Sequence, residues 1–260
     1  MKTVALTKEG DFAVGVAKEA GKIIATGFMP KIRTETKRDG TPVTGTDRKV
    51  NAFVIREVSR KFPEHEILAE EGSKITKRST YRWVCDPIDG TVAFSHGCPT
   101  FAFSLALLKN RMPIVGVVYD PMQERLFFAE KGNGATLNGA RIHVSGENKL
   151  KGAVIGISAW NGARFSLEPL SGRLMDRGAA VLRLGSIAYM GALVSCGEFA
   201  ASVHPARMSY DSAALKLIID EAGGKVTSIF GKEQKYGGKI MGCIMSNGAL
   251  HSAIEKLVRR

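Results

Sequence analysis

The sequence contains little cysteine, few aromatic residues and no long apolar run. Among its 260 residues are four cysteines, and 7% of the residues are aromatic. Cys85, Cys98, Cys196 and Cys243 are far apart and form no C-x-x-C pair, which argues against a zinc site and against a disulfide framework. We therefore expect buried, reduced thiols and a reducing compartment.

No apolar run approaches the ~20 residues that a transmembrane helix needs. The first residues, MKTVALTKEGDF, contain no apolar stretch long enough for a signal peptide. These absences lead us to expect a cytoplasmic protein that makes no contact with a membrane.

Negative charge is also in short supply. The formal net charge is +12 and the sequence pI is about 9.6, so the protein attracts anions such as phosphate esters and nucleic acids. The densest basic group is Lys74, Lys77, Arg78 and Arg82, and it contains no repeated aromatic platform. This scatter favours a solvated positive surface over a nucleic-acid site, which stays a less favoured alternative.

Hydrophobic spacing predicts the elements. Helices are predicted at 12–28, 47–62, 186–196, 211–222 and 249–258, with Thr7 as the cap of the first. Strands are predicted at 66–70, 82–86, 101–108, 113–119, 125–130, 153–157 and 241–245. This order indicates a layered α/β fold with a mixed sheet. The polar stretch 146–151 suggests two lobes, 1–145 and 146–260.

The most informative segment is Trp83-Val84-Cys85-Asp86-Pro87-Ile88-Asp89-Gly90-Thr91. An apolar strand presents Asp86 at its end, Asp89 follows three residues later, and Gly90-Thr91 is predicted to open a helix that binds an anion. Two carboxylates beside bound phosphate would repel it unless divalent cations lay between them. Mg²⁺ prefers oxygen ligands and bridges to phosphate, so the segment predicts a magnesium site.

Three further acids are candidates for the same site. Glu70 follows a predicted strand, Asp211 begins a predicted helix, and Asp47 ends the polar loop that begins at Lys37. Each of the five acids has a plainer interpretation. Asp86-Pro87 and Asp89-Gly90 could form turns, in which Asp-Pro and Asp-Gly are common. Asp211 and Asp47 could cap helices, and Glu70 could lie in a solvated loop.

Taken together, these segments resemble the inositol monophosphatase family of lithium-sensitive, Mg²⁺-dependent phosphatases. The resemblance runs from the loop 37–47 through Glu70-Glu71-Gly72 and the segment 83–91 to Asp211, 221–224 and 246–251. It implies a five-layered αβαβα sandwich with mixed sheets, usually dimeric, that hydrolyses a small phosphorylated metabolite.

The resemblance also implies the residue roles. The metals, two or three Mg²⁺ with Mn²⁺ as an alternative, would be held by Glu70, Asp86, the Ile88 carbonyl, Asp89 and Asp211. Asp47 and Thr91 would activate the attacking water with help from Glu70. The substrate would contact Asp89, the N–H groups of Gly90 and Thr91, and the turn Gly185-Ser186-Ile187.

The substrate is less well specified. Inositol-specific members of the family have a glutamate seven residues before the last metal aspartate, where this chain has His204. We expect His204 at the rim of the site, where with Arg207 it would favour a second anionic group. The function expected is that of a phosphomonoesterase for a sugar, polyol or amino-alcohol phosphate, similar to inositol-1-monophosphatase. Fructose-1,6-bisphosphatase, histidinol-phosphatase and nucleotide phosphatase activities stay open. So does a basic nucleic-acid-binding or protein-binding module on an inactive phosphatase fold.

Overall fold

The computed structural model describes residues 6–29, 32–37, 40–73, 79–159, 163 and 165–259. The α-helices are α1 (Lys8–Gly27), α2 (Gly45–Lys61), α3 (Thr91–Ser95), α4 (Glu168–Met175), α5 (Ile187–Ser195), α6 (Ala213–Glu221) and α7 (His251–Val258). A short 3₁₀ helix covers Ser209–Asp211.

Fourteen strands occur in the described residues. They are β1 (Thr34–Thr36), β2 (Pro42–Thr44), β3 (Glu66–Ala69), β4 (Tyr81–Asp89), β5 (Ala102–Lys109), β6 (Met112–Asp120), β7 (Arg125–Glu130), β8 (Ala135–Leu137), β9 (Ala140–Arg141), β10 (Val154–Ile157), β11 (Ala180–Leu182), β12 (Ala201–His204), β13 (Lys225–Thr227) and β14 (Cys243–Ser246).

Two mixed sheets organise these strands. The larger has the order β3-β4-β5-β6-β7-β8-β9, in which only the β3–β4 pair is parallel. The smaller has the order β11-β10-β12-β14-β13, and β10 pairs in parallel with both of its neighbours. The strands β1 and β2 form a separate antiparallel pair. The predicted lobe boundary near residue 145 stays a prediction. All strands of the large sheet precede it, and all strands of the small sheet follow it.

Three apolar clusters show how the layers stack. One face of the large sheet packs on α1 and α2. Its other face packs on α5 and α6, which also contact the small sheet through residues such as Val226 and Met245. The outer face of the small sheet packs on α4 and α7. The order is therefore helix, sheet, helix, sheet, helix, which confirms the predicted αβαβα sandwich.

Local sequence signals account for where α1 and α2 begin. The Thr7 side chain accepts a hydrogen bond from the Gly10 N–H and caps α1, as predicted. At α2, Thr44 and Asp47 form a reciprocal capping box, in which each side chain accepts a hydrogen bond from the other's backbone N–H.

Some expectations were wrong in detail. The strand carrying Asp86 does not end at Asp86, as predicted, but continues to Asp89. Asp211 lies in the 3₁₀ turn, two residues before α6 begins. Cys98 is exposed, whereas Cys85 and Cys243 are buried, and all four cysteines are free. Within the described ranges, no helix is long and apolar enough to cross a membrane.

The layers are in close contact where α6 packs on β6. A Cβ atom built on Gly116 of β6 would lie 2.8 Å from the Ala214 carbonyl oxygen of α6. Real Cβ atoms do not approach backbone oxygen so closely, so the absence of a side chain at residue 116 sets this spacing.

We expect Gly116→Ala to lower the free energy of unfolding by about 1–3 kcal/mol, the usual cost of overpacking. Gly172→Ala in α4 is the matched control, because its Cβ would meet nothing within 4 Å, and alanine should raise helix stability by about 0.5–1 kcal/mol. Urea unfolding of both variants measures the difference. If Gly116→Ala is as stable as the wild type, α6 moves away from β6 without a cost in free energy of unfolding.

Candidate active site

Asp86 and Asp89 lie at the C-terminal end of β4, where its pairing with β5 is irregular. Asp86 pairs with Ser104 and Asp89 with Ala102, so β4 carries one extra residue between them. In a regular strand, residues three apart face opposite sides of the sheet. The extra residue lets both carboxylates serve one site. Both are buried, with Asp86 4% and Asp89 7% exposed.

Glu70 reaches the site from the neighbouring strand. Its N–H donates to the Cys85 carbonyl oxygen at 3.2 Å, which extends the parallel pairing of β3 and β4 by one residue. Its side chain lies close enough to Asp86 for the Glu70 charge to raise the pKa of Asp86.

The last acid comes from the C-terminal half of the chain. The Asp211 Oδ2 atom accepts hydrogen bonds from the backbone N–H groups of Arg207 and Met208, each at 3.1 Å. These bonds fix the carboxylate over the 3₁₀ turn. The negative charge of Asp211 raises the pKa of Asp86, and the charges of Asp89 and Glu70 raise the pKa of Asp211.

Burial is the main cause of the raised pKa values of these four groups, and mutual repulsion adds to it. The pKa of Asp89 rises to about 6 and that of Asp211 to about 8, in both cases mainly through burial. The pKa of Asp86 is raised well above its usual range by burial and by the neighbouring acids, and that of Glu70 is raised by burial. Backbone N–H groups oppose the shift at Asp89 and Asp211.

A single lysine neutralises part of this charge. The Lys37 ammonium lies 2.6 Å from Glu70 Oε1 and 2.7 Å from Glu71 Oε1. Both carboxylates raise the pKa of Lys37 against the opposing effect of burial. Sequence reasoning placed Lys37 in the loop but gave it no role, and only the fold reveals its partners. Arg38 and Asp39, at the tip of that loop, lie outside the described residues.

The donor set fits divalent cations. Among the described residues, one ammonium group, that of Lys37, contacts this set of four carboxylates, and it does so through Glu70. A hard cation such as Mg²⁺ takes carboxylate and carbonyl oxygens as ligands. Among the described residues, no group of three His, Cys, Asp or Glu side chains is arranged so that it could hold a metal ion. Lys37 and backbone N–H groups occupy several of the carboxylate oxygens. Added positive charge would relieve the repulsion that raises the four pKa values.

Asp47 and Thr91 are brought together, as predicted from the resemblance. The Thr91 hydroxyl lies 3.3 Å from Asp47 Oδ1 and 3.1 Å from the Ile88 carbonyl oxygen, and its one proton serves either acceptor. The other Asp47 oxygen belongs to the capping box of α2, where it accepts the Thr44 N–H at 2.8 Å. Burial raises the pKa of Asp47 and the bonds from Thr44 lower it.

The start of α3 lies beside these groups. Gly90 caps the helix with a φ of +98°, a left-handed conformation that favours glycine. A Cβ there would lie 3.0 Å from the Ser186 Cβ and 3.1 Å from the Thr100 carbonyl oxygen. The first N–H groups of a helix have no acceptor within it, so those of Gly90 and Thr91 suit an anion.

The turn at residues 185–187 also reaches the site, but through Asp89. The Ile187 and Ala188 N–H groups donate to the two Asp89 oxygens at 2.9 and 2.8 Å. The Ser186 hydroxyl hydrogen-bonds to Asp89 and accepts from the Tyr189 N–H at 3.0 Å. This hydroxyl therefore positions Asp89 and α5, and its contact with a sugar hydroxyl stays a prediction.

The expectation for His204 was wrong in its location and charge. The ring is 0% exposed, and burial lowers its pKa to about 3. It is therefore neutral and lies beneath the surface, not at a rim. Its Nδ1 lies 2.8 Å from the Ser158 hydroxyl, which the sequence did not single out. Its Nε2 has no hydrogen-bond partner among the residues that the structure describes. Arg207 is exposed, and its contact with a second anionic group stays a prediction.

We expect the metal-free protein to lose stability as pH rises. Asp89 and Asp211 have folded pKa values of about 6 and about 8 against an ordinary value of 3.8. Their protonation therefore stabilises the fold fully below pH 3.8, and this contribution disappears as pH rises through 6 and 8. Thermal unfolding in EDTA measures it as a falling Tm, by roughly 2–4 °C per kcal/mol. A flat profile would contradict the raised pKa values.

We expect Asp86→Asn to raise the stability of the metal-free protein at pH 8 by an amount on the order of 1 kcal/mol, because it removes one of the repelling charges. Asparagine retains an oxygen for the Ile88 N–H, which Asp86 accepts at 3.1 Å. Asp176→Asn removes an exposed charge and is the control. With Mg²⁺ added, the order should reverse, since the wild type gains more from the cation. An Asp86→Asn protein less stable than wild type in EDTA would contradict this assignment.

Known proteins resemble this chain over nearly its whole length. The model of the inositol monophosphatase family matches residues 6–260. A fructose-1,6-bisphosphatase/inositol-1-monophosphatase of Thermotoga maritima is 34% identical over 254 residues, covering 95% of this chain and 94% of that protein. A histidinol-phosphatase of Mycobacterium tuberculosis is 36% identical over 250 residues, covering 93% of this chain and 94% of that protein.

A solved structure extends the comparison to the fold. The crystal structure of an IMPase/NADP phosphatase complexed with Mg²⁺ and phosphate is 27% identical and has a TM-score of 0.83. The match covers 95% of this chain and 93% of that chain. With a family match over nearly the whole sequence and relatives above 30% identity, this chain belongs to the inositol monophosphatase family and is a phosphoric monoester hydrolase.

Proposed function

We propose that this protein is a Mg²⁺-dependent phosphomonoesterase that hydrolyses a small sugar, polyol or amino-alcohol phosphate, in the manner of an inositol-1-monophosphatase. The observation that carries the proposal is the cluster of the buried Asp86 and Asp89 with the half-buried Glu70 and Asp211, beside the Asp47–Thr91 pair. Four mutually repelling carboxylates are costly to a fold that makes no use of them.

The cations would be held by the four carboxylates and the Ile88 carbonyl. When bound, they would supply charge neutralisation of the phosphoryl oxygens and a lowered pKa for an attacking water. Two or three Mg²⁺ per site are proposed, with Mn²⁺ as a substitute, and a Mg²⁺ complex is known for the structural relative.

The chain's own groups would position and deprotonate the water. The Thr91 hydroxyl would accept the water proton as its own proton passes to Asp47, 3.3 Å away. The raised pKa of Asp47 makes it a better proton acceptor near neutral pH than an exposed aspartate. The N–H groups of Gly90 and Thr91 would hold the phosphate in line for attack.

The substrate is proposed as a class, because the groups around the alcohol part carry little specificity. The neutral, buried His204 supplies neither the carboxylate that inositol hydroxyls would need nor the positive charge of an anion site. We therefore propose broad selectivity, with inositol-1-phosphate, fructose-1,6-bisphosphate and histidinol phosphate as candidates. The relatives named above support this range.

A phosphate-release screen tests the proposal. The substrates are inositol-1-phosphate, fructose-1,6-bisphosphate, histidinol phosphate, 3′-phosphoadenosine 5′-phosphate and NADP. We expect hydrolysis of at least one with Mg²⁺, its abolition by EDTA, and its near absence in Asp86→Asn. An inactive protein that still binds Mg²⁺ and is folded would instead favour the binding-module alternative.

We expect Thr91→Ala and Asp47→Asn each to lower kcat by about 10²–10⁴, the usual contribution of general-base catalysis. KM should change much less, since the pair acts in the transition state. The double variant should lose little more than the worse single variant, because both remove one proton path. Tm is measured in parallel, since Asp47 also caps α2. Losses that multiply would contradict the pairing.

Three further properties are part of the same proposal: inhibition by Li⁺, a cytoplasmic location and a homodimeric state. Li⁺ would compete for a cation position among the carboxylates. Rates that do not change in high Li⁺, at low Mg²⁺ and saturating substrate, would contradict this part.

A further inference from the structure

A second concave site lies at the opposite end of β4 from the carboxylates. It is a pocket of about 300 Å³, lined by Ser79, Thr80, Arg82, Asn110, Arg111 and Gly237 above the buried Leu108. Arg82 precedes Asp86 by four residues in β4, which corresponds to ~13 Å along an extended strand. The pocket is therefore separate from the active site.

Arg82 is held rigidly in the pocket wall. Its Nε and Nη2 donate to Glu66 Oε2 at 2.9 and 2.5 Å, and its Nη1 donates to the Gly237 carbonyl oxygen at 2.5 Å. Glu66 neutralises this guanidinium but is not one of the lining residues. A guanidinium has five N–H donors, so two remain for a ligand.

Arg111 supplies the uncompensated charge. It lies in the tight turn between β5 and β6, where Asn110 and Arg111 have φ values of 52° and 67°. Its carbonyl oxygen accepts the Tyr236 N–H at 2.8 Å, which ties the turn to the opposite wall. A Cβ on Gly237 would lie 2.6 Å from Arg111 Nε, so the side chain lies directly over that glycine. Among the described residues, no carboxylate pairs with Arg111.

Neutral donors complete the lining. The Ser79 hydroxyl oxygen accepts the Tyr81 N–H at 3.2 Å, which leaves its own proton to donate. Thr80 and the Asn110 amide add further donors. A lining with one net positive charge and several neutral donors complements a phosphate group.

We propose that this pocket binds a small organic phosphate as a second anion site, remote from the reaction centre. Ligand pockets begin at ~300 Å³, so the space accommodates a small molecule rather than a bare ion. Arg111 and Arg82 bind its phosphate. The overall charge of +12 draws such anions to the surface.

Isothermal titration calorimetry with glycerol 2-phosphate tests the proposal in the full-length Asp86→Asn protein with EDTA, where hydrolysis and metal-bridged binding at the active site are removed. We expect one saturable site that binds inorganic phosphate and glycerol more weakly. Arg111→Gln should weaken binding at least ~10-fold, the effect of losing a charge-assisted bidentate contact. Arg177→Gln, the same substitution at an exposed arginine after α4, should leave it unchanged.

Three results would overturn the proposal: no saturable binding, equal weakening by the two arginine variants, or binding of inorganic phosphate as tight as that of the ester. If Arg111→Gln fails to fold, a crystal structure of the wild type with glycerol 2-phosphate decides. The phosphate must then lie within hydrogen-bond distance of Arg111. None of these measurements depends on catalysis, so a failure here is separate from a failure of the proposed activity.

Discussion

Asp86 and Asp89 project from one strand into a region that already contains Glu70 and Asp211, and burial prevents water from screening their charges. Repulsion among them opposes the packing of both sheets at this point. Backbone N–H groups donate to Asp89 and Asp211, and the Lys37 ammonium pairs with Glu70. These contacts offset part of the repulsion. Residues at or near the ends of β3, β4 and the 3₁₀ turn supply the carboxylates, and the first N–H groups of α5 bind Asp89.

The same arrangement explains why several site residues have two roles. Asp47 uses one oxygen to cap α2 and the other to face Thr91. Ser186 caps α5 while its hydroxyl bonds to Asp89. Groups fixed in this way lose little entropy when a substrate binds, so the site is pre-organised by the helix ends that surround it.

Much of the fold and the acidic cluster could be predicted because their signals are local. The apolar strand that leads to Asp86, the periodic helices and the cap at Thr7 can be predicted from short windows of sequence. The surroundings of His204 could not be predicted, since its burial depends on pairing between β12 and β14, which lie about 40 residues apart. The extra residue between Asp86 and Asp89 was also missed, because Pro87 resembles a strand end and only the partner strand β5 reveals a bulge. Lys37 had no local signal for its partners, which lie 33 and 34 residues away.

The close contact between Gly116 and α6 has a consequence for evolution. Asp211 lies two residues before α6, whereas Asp86 belongs to the large sheet, so the gap between these acids depends on how closely that helix approaches β6. A methyl group at residue 116 would widen the gap without touching either carboxylate. Selection for cation affinity should therefore preserve a glycine that has no chemistry of its own, and substitutions there should be tolerated only together with smaller side chains elsewhere between the layers.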